Sequence, residues 1–76
     1  MGQDLKYINK SLEKSFKILE ILSKSIFPLK ASNISRKAAL SRTTTFRLLS
    51  VLSDLGYIHK NLSSNTYTMG HKAFQF

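Results

Sequence analysis

The sequence predicts a small, mainly helical α+β domain in which three helices precede a two-stranded β-hairpin. Apolar residues recur with a helical period as far as Gly56. Beyond Gly56, two short runs rich in β-branched and aromatic residues flank a polar loop, which is typical of a hairpin. The 76 residues suffice for one domain with a thin core, because a chain of this size buries only about 60% of its unfolded surface.

The chain is strongly basic, with 12 Lys and Arg against 4 Asp and Glu and a formal net charge of +8. Such an excess attracts polyanions, namely DNA, RNA or acidic lipid surfaces, although lysines also serve simply to keep a surface soluble. Between Lys30 and Lys60 only Asp54 opposes the cations, so their clustering favours polyanion binding. The absence of cysteine excludes disulfides and thiolate metal sites and fits the cytoplasm. No apolar run has the length of a membrane span, and the start does not resemble a signal peptide.

The first helix is predicted from Leu12 to about Ile26, with Ser11 as its N-cap and residues 1–10 as a flexible arm. Ile18 and Ile21 widen its apolar side beyond one packing face, so we expect more than one neighbour. The candidates are the following helix pair, the hairpin and a second copy of the chain. The main apolar stripe consists of Leu12, Phe16, Leu19, Leu22 and Ile26.

A pair of helices joined by a tight turn follows Pro28, which ends the first helix, and a short extended piece at residues 29–31. Ser32 is the predicted N-cap of a short helix, and Leu40 is the apolar plug of the turn. Ser41 is the predicted N-cap of a longer helix that Gly56 ends. This arrangement is the helix-turn-helix pattern.

The longer helix is predicted to have two contrasting sides. Leu48, Leu52 and Leu55 recur at helical spacing and face the core, with Leu49 at the edge. The opposite face carries cations, hydroxyls and one aromatic ring, with no acid, and it consists of Arg42, Thr43, Phe46, Arg47 and Ser50. We expect this face to enter the major groove of DNA.

The hairpin is predicted from two strands, at residues 57–60 and 66–69, around the loop Asn61–Asn65. Gly70 ends the second strand, and another helix is expected to begin at His71. Three helices followed by a hairpin is the order of a winged helix-turn-helix. In that layout the third helix reads the groove and the hairpin reaches the neighbouring backbone.

Each predicted contact has an alternative. Arg42 suits the O6 and N7 atoms of guanine or a phosphate, and Arg47 suits a base or a phosphate equally. Thr43 and Thr44 offer hydroxyls to phosphate, although Thr44 is equally suited to packing at the helix start. Phe46 either touches a thymine methyl or folds back over the helix edge. The full predicted DNA-binding set is Ser41, Arg42, Thr43, Thr44, Phe46 and Arg47, with Arg36 and Lys37 on phosphate, and Lys60, Asn61, Ser63, Ser64 and Asn65 on the backbone or minor groove.

The sequence gives no indication of an enzyme. Its four acids are scattered over predicted helix surfaces and form no paired general acid and base. There is no glycine-rich phosphate loop and no nucleophile motif. His59 and His71 have no carboxylate or cysteine at ligand spacing, so we expect neither a metal site nor a cofactor.

Three runs of residues together resemble the N-terminal DNA-binding domain of the IclR family of bacterial transcriptional regulators. They are residues 11–22 (SLEKSFKILEIL), residues 40–49 (LSRTTTFRLL), and residues 55–58 (LGYI) leading to 67–72 (YTMGHK). The chain departs from the family pattern at three positions. Ala39 stands where glycine is usual in the turn, Thr45 takes an inward position usually filled by a branched apolar residue, and Ser41 replaces a frequent proline.

The resemblance implies a winged helix-turn-helix at residues 11–70 and the start of a linker helix at 71–76. It implies a regulator, more often a repressor, that binds double-stranded operator DNA as a homodimer, here through the first helix and N-terminal arm. A small-molecule effector is expected only if a C-terminal domain exists. Two other functions stay open from the residues alone: a winged-helix dimerisation module without specific DNA binding, and attachment to a membrane through the first helix, which Glu13 and Glu20 disfavour.

Overall fold

The computed structural model describes the backbone of residues 2–74 and the side chains of residues 10–74. Its elements are α1 (Gly2–Lys24), α2 (Ala31–Ala38), α3 (Arg42–Asp54), β1 (Ile58–Asn61), β2 (Thr66–Met69) and a 3-10 helix at His71–Phe74. The strands form one antiparallel sheet. This order confirms the predicted winged helix-turn-helix. Met1 of the predicted arm and residues 75–76 of the predicted linker helix lie outside the described residues.

The first helix is longer at its start than the sequence predicted. It begins at Gly2 instead of Leu12, so the backbone of residues 2–10 continues the helix. The predicted N-cap at Ser11 is therefore wrong, and the carbonyl of Ser11 accepts a bond of 2.9 Å from the Ser15 hydroxyl. No proline interrupts the first ten residues, so a polar composition alone does not stop the helix. At the other end α1 stops at Lys24, two residues before the predicted Ile26.

The core lies where α1, α2, α3 and the hairpin meet. Ile18, Ile34, Leu49 and Thr45 are its largest fully buried side chains. The predicted stripe on α1 is only partly buried, because the other elements cover the side of α1 that carries Ile18 and Leu22. Leu19 packs partly against the core. The remaining stripe residues are exposed by 50%, 66% and 91% of their surface, and they are Leu12, Phe16 and Ile26.

The turn between α2 and α3 depends on a left-handed alanine. Ala39 has φ 57° and ψ 41°, and its N–H donates to the carbonyl of Arg36 at 3.2 Å. The N–H of Leu40 then donates to the carbonyl of Ser35 at 2.9 Å. This pair of bonds is a Schellman-type ending, which usually places glycine at the left-handed position. At the other end of α2 the predicted cap Ser32 is wrong, because the helix begins at Ala31 and no side chain caps it.

The start of α3 is capped as predicted. The Ser41 hydroxyl accepts a bond of 3.1 Å from the N–H of Thr44. Thr45 lies inward with none of its surface exposed, and its hydroxyl donates to the Ser41 carbonyl at 2.8 Å. The threonine therefore satisfies its own polar group locally while its methyl group packs in the core. A capped start fixes the direction in which α3 leaves the turn.

Two glycines allow the segment after α3 to lie close to the segment that follows the hairpin. Gly56 has φ 88°, and the next N–H, that of Tyr57, donates to the carbonyl of Leu52 at 3.0 Å. The N–H of Gly70 donates to the carbonyl of Tyr57 at 2.8 Å. A Cβ atom at position 70 would lie 2.3 Å from the carbonyl oxygen of Gly56. The close approach of these two backbone segments therefore requires glycine at 70.

The hairpin is held at its base by a third piece of extended chain. β1 and β2 pair from Ile58 opposite Met69 to Asn61 opposite Thr66. Leu29, in the extended piece predicted before α2, forms an antiparallel bridge with Tyr67. Two backbone bonds of 3.1 and 2.7 Å make this bridge. The hairpin is thereby fixed to the segment that leads into the helix pair.

Candidate nucleic-acid interface

The outward face of α3 has the composition that the sequence predicted. Arg42, Thr43, Phe46, Arg47 and Ser50 are all exposed, and Thr44 is half-buried. The opposite side is sealed in the core by three leucines, which are Leu48, Leu49 and Leu52. Since burial on one side fixes the rotation of the helix, the polar side chains must point away from the protein.

The inward side differs from the prediction at two leucines. Leu49, predicted at the edge, has none of its surface exposed, whereas Leu55, predicted inward, is 52% exposed. Leu55 keeps the helical φ and ψ of −78° and −11°, but it lies with Val51 on the side of α3 that lines an open groove next to α1. The prediction that Leu55 is sealed in the core is therefore wrong. The outward residues are unaffected, because they lie nearer the start of α3.

The start of α3 combines a cation with backbone donors. The two oxygens of Ser41 accept the N–H groups of Thr44 and Thr45. The N–H groups of Arg42 and Thr43 come before the first intrahelical bond, where a helix leaves its donors for an outside acceptor. The positive end of the helix dipole adds to the charge of Arg42. This end is suited to hold a phosphate.

Phe46 is half exposed at the edge of a cleft. The ring keeps 47% of its surface exposed, so an apolar area is available outside the protein. Phe46 also lines a cleft of about 360 Å³ between α3 and the hairpin, together with Ser50, Lys60 and Tyr67. Phe46 therefore borders the hairpin side of α3 and keeps apolar surface exposed.

The tip of the hairpin is organised by one asparagine. Oδ1 of Asn61 accepts bonds from the N–H of Ser63 at 3.1 Å, the hydroxyl of Ser63 at 2.8 Å and the N–H of Ser64 at 3.3 Å. The Ser64 and Thr66 hydroxyls are 2.6 Å apart, and Asn65 takes the left-handed φ of 57°. The sequence identified these residues as a loop but not this arrangement. It leaves the Asn61 amide nitrogen, rather than its oxygen, for an outside partner.

Lys60 is set apart from the tip residues with which the sequence grouped it. Its ammonium lies 5.7 Å from the centre of the Tyr67 ring, directly across the hairpin. It also borders the cleft beside α3, whereas residues 61–65 belong to the tip. The sequence placed Tyr67 in the second strand but not beside Lys60, because that proximity depends on the strand register.

Arg36 and Lys37 are exposed in the last turn of α2. Their positive charges interact favourably with the negative end of the helix dipole. Lys37 borders a hollow with Ile21 and Lys24 of α1. Lys37 is therefore carried on the side of α2 that faces α1. Neither Arg36 nor Lys37 forms an ion pair within the described part of the chain.

The model of the IclR helix-turn-helix domain matches residues 11–62. The chain belongs to the IclR helix-turn-helix family. The HTH-type transcriptional regulator XynR of Escherichia coli K12 is 34% identical over 65 residues, which are 86% of this chain and 26% of that protein. IclR regulators bind double-stranded DNA, and they are not a family of enzymes.

Solved structures share the fold. HmgR of Pseudomonas aeruginosa superposes with a TM-score of 0.81 at 23% identity, covering 87% of this chain and 27% of that one. The repressor BlcR of Agobacterium tumefaciens gives 0.78 at 21% identity, covering 87% and 26%. The present chain therefore spans about a quarter of the length of these relatives.

An apolar groove lies on the IclR-type domain between α1, the end of α3 and the 3-10 helix. Its volume is about 520 Å³. Four of its lining side chains keep about half or more of their surface exposed, and they are Leu12, Phe16, Val51 and Leu55. Phe74, 76% exposed, follows the lining residue Ala73. Exposed apolar side chains grouped in this way make the groove a candidate site of association.

Other kinds of site are not found on the described part of this IclR-type domain. No three side chains among its described His, Asp and Glu residues are grouped to hold a metal ion. None of the helices that the structure describes is long and apolar enough to cross a membrane.

Proposed function

We propose that this domain is the DNA-binding domain of a cytoplasmic transcriptional regulator and that it binds operator DNA sequence-specifically. In the proposed complex α3 enters the major groove and the hairpin contacts the adjacent backbone or minor groove. The observation that carries the proposal is the outward face of α3, where two arginines and two hydroxyl residues surround Phe46 without an acid from 42 to 53. Buried leucines hold that face outward.

The proposed contacts divide into two classes. Arg42 reads a base, in line with the commonest specific contact, in which a guanidinium binds guanine. The hydroxyls and N–H groups at the start of α3, together with the cations of α2 and the hairpin, bind phosphates. Loss of a phosphate contact weakens binding to all sequences alike, whereas loss of a base contact changes which sequences bind.

Repression is the proposed outcome of this binding. Among the structural relatives BlcR is a repressor, and it shares the fold of this domain. A domain that covers an operator blocks transcription without any further contact. Repression therefore requires only that the described surface bind DNA. Transcription of a reporter behind the selected operator should fall when the protein is present.

A homodimer is the proposed binding unit, formed through α1. The groove beside Phe16 supports it, because its apolar side chains stay exposed among the residues that the structure describes. Two copies related by a two-fold axis would read two half-sites of a pseudo-palindrome. Sedimentation in the presence and absence of operator measures this directly.

Selection of binding sites from a random duplex pool tests the proposal. A two-fold symmetric consensus is the expected result. Arg42→Ala should then relax the preference at one base pair of each half-site, where a good bidentate contact is worth about 1–3 kcal/mol. Lys17→Ala is the matched control, because it removes an exposed cation of α1 and should leave the consensus unchanged. Equal binding to every duplex sequence would refute specific recognition.

A dimerisation module without specific DNA binding is the second candidate, and the same apolar groove favours it. The two functions differ in their response to salt. Binding to DNA through cations weakens steeply as salt rises, whereas an apolar dimer does not. A tight dimer without salt-dependent affinity for any duplex would establish this alternative.

A further inference from the structure

Tyr67 presents a fixed aromatic surface to a lysine. Only 4% of its surface is exposed, and its backbone is held by two hydrogen bonds to Leu29. Lys60 lies opposite it across the hairpin, with Nζ 5.7 Å from the ring centre. A cation at this distance over a ring is attracted by the negative charge of the ring face. The buried ring therefore restricts the positions that the flexible Lys60 side chain adopts.

The held cation lies beside the face of α3 that is proposed to enter DNA. Lys60, Phe46 and Ser50 border the same cleft between α3 and the hairpin. Asp54 also borders it, but Lys60 forms no ion pair with that carboxylate in the described part of the chain. When a helix occupies the major groove, phosphates flank it on both sides. The ammonium is therefore free to bind the phosphate next to α3.

We propose that Tyr67 is a positioning residue for DNA binding, which holds the Lys60 ammonium at the junction of α3 and the hairpin for a phosphate that flanks the major groove. The inference rests on the proposed function. It separates Lys60 from the tip residues, whose contacts would lie further along the backbone. It also gives Tyr67 a role besides its place in the core.

The test measures operator affinity over a range of salt concentrations for a set of matched variants. Lys60→Ala should reduce the salt slope by about 0.9, as expected for one lost phosphate contact. Tyr67→Phe keeps the ring and should keep both affinity and slope. Tyr67→Leu keeps an apolar core residue without the ring, and should weaken binding about two- to five-fold. In the Lys60→Ala background, Tyr67→Leu should cause no further loss.

The double variant decides between a positioning and a structural role. If Tyr67→Leu costs the same affinity with and without Lys60, the residue acts only through the fold and the inference is overturned. No loss in the single variant would overturn it too. Failure of the wild-type chain to show salt-dependent binding would instead refute the proposed function itself.

An isosteric series covers the case in which Tyr67→Leu does not fold. Phenylalanine at position 67 keeps the ring and its negative face, whereas pentafluorophenylalanine keeps the ring shape and removes the negative charge of that face. Affinity should fall with fluorination when Lys60 is present and stay constant in the Lys60→Ala background. A constant affinity in both backgrounds would overturn the inference.

Discussion

Replacement of Ala39 by glycine should stabilise the domain. Ala39 has φ 57° and ψ 41°, a left-handed conformation that costs an L-residue about 1–2 kcal/mol. Glycine adopts this conformation freely. It also gives the unfolded chain more conformational entropy, which reduces the gain in stability by about 0.4–1 kcal/mol. Ala39 is exposed, so loss of its methyl group removes little buried surface. The free energy of unfolding should therefore rise by about 1 kcal/mol.

Thermal unfolding followed by circular dichroism measures the effect. For a domain of 60–100 residues, 1 kcal/mol corresponds to a rise in Tm of about 4–8 °C. Urea unfolding should give the same gain with an unchanged m-value, because the surface exposed on unfolding stays the same.

Two glycine substitutions act as controls. Ala38→Gly, at a helical position with 1% of its surface exposed, should lower stability by about 1–2 kcal/mol, because helix propensity and a buried methyl group are both lost. Asn65→Gly, at the same φ of 57°, should change it by only a few tenths, because asparagine tolerates this conformation. If Ala39→Gly lowers Tm as Ala38→Gly does, the turn does not store the strain assigned to it.

Three further substitutions test other features. Ser41→Ala removes the N-cap of α3 and should cost about 1 kcal/mol in thermal unfolding, whereas Ser50→Ala on the same helix should be nearly neutral. Gly70→Ala places a Cβ 2.3 Å from the carbonyl oxygen of Gly56, so urea unfolding should show a loss of at least about 1–3 kcal/mol; unchanged stability would show that the backbone can separate there. Phe16→Asp, at a 66% exposed position, should shift sedimentation from dimer to monomer while leaving Tm of the monomer nearly unchanged; a dimer that survives would exclude the apolar groove as its interface.

The order of elements was predictable because each signal is local. Helical spacing of the leucines, the cap at Ser41 and the positive φ required at Gly56 all act within a few residues. The outward face of α3 followed from the same spacing. The family pattern marked Ala39 as a position where glycine is usual but left the geometry of the turn open, and the φ of 57° shows that the residue is left-handed.

Burial on α1 and at Leu55 was not predictable, because periodicity says which residues share a side but not which side is covered. Ile18 was expected to widen the stripe and instead lies at the centre of the core, while Phe16 is exposed. The start of α1 was missed because Ser11 was interpreted as its N-cap. Residues 2–10 contain no signal that stops a helix, and α1 runs through them. The contact between Lys60 and Tyr67 depended on a register that the loop length left unassigned.

The bridge between Leu29 and Tyr67 makes the hairpin a three-stranded arrangement at its base, where a free two-stranded hairpin would be only marginally stable. Its anchorage therefore does not rely on the four residues at its far end, 62–65. Residues 62–65 are therefore a segment that can be exchanged without removing this anchorage. We expect that loops of different length or charge grafted there would change the contacts made by the end of the hairpin without moving α3.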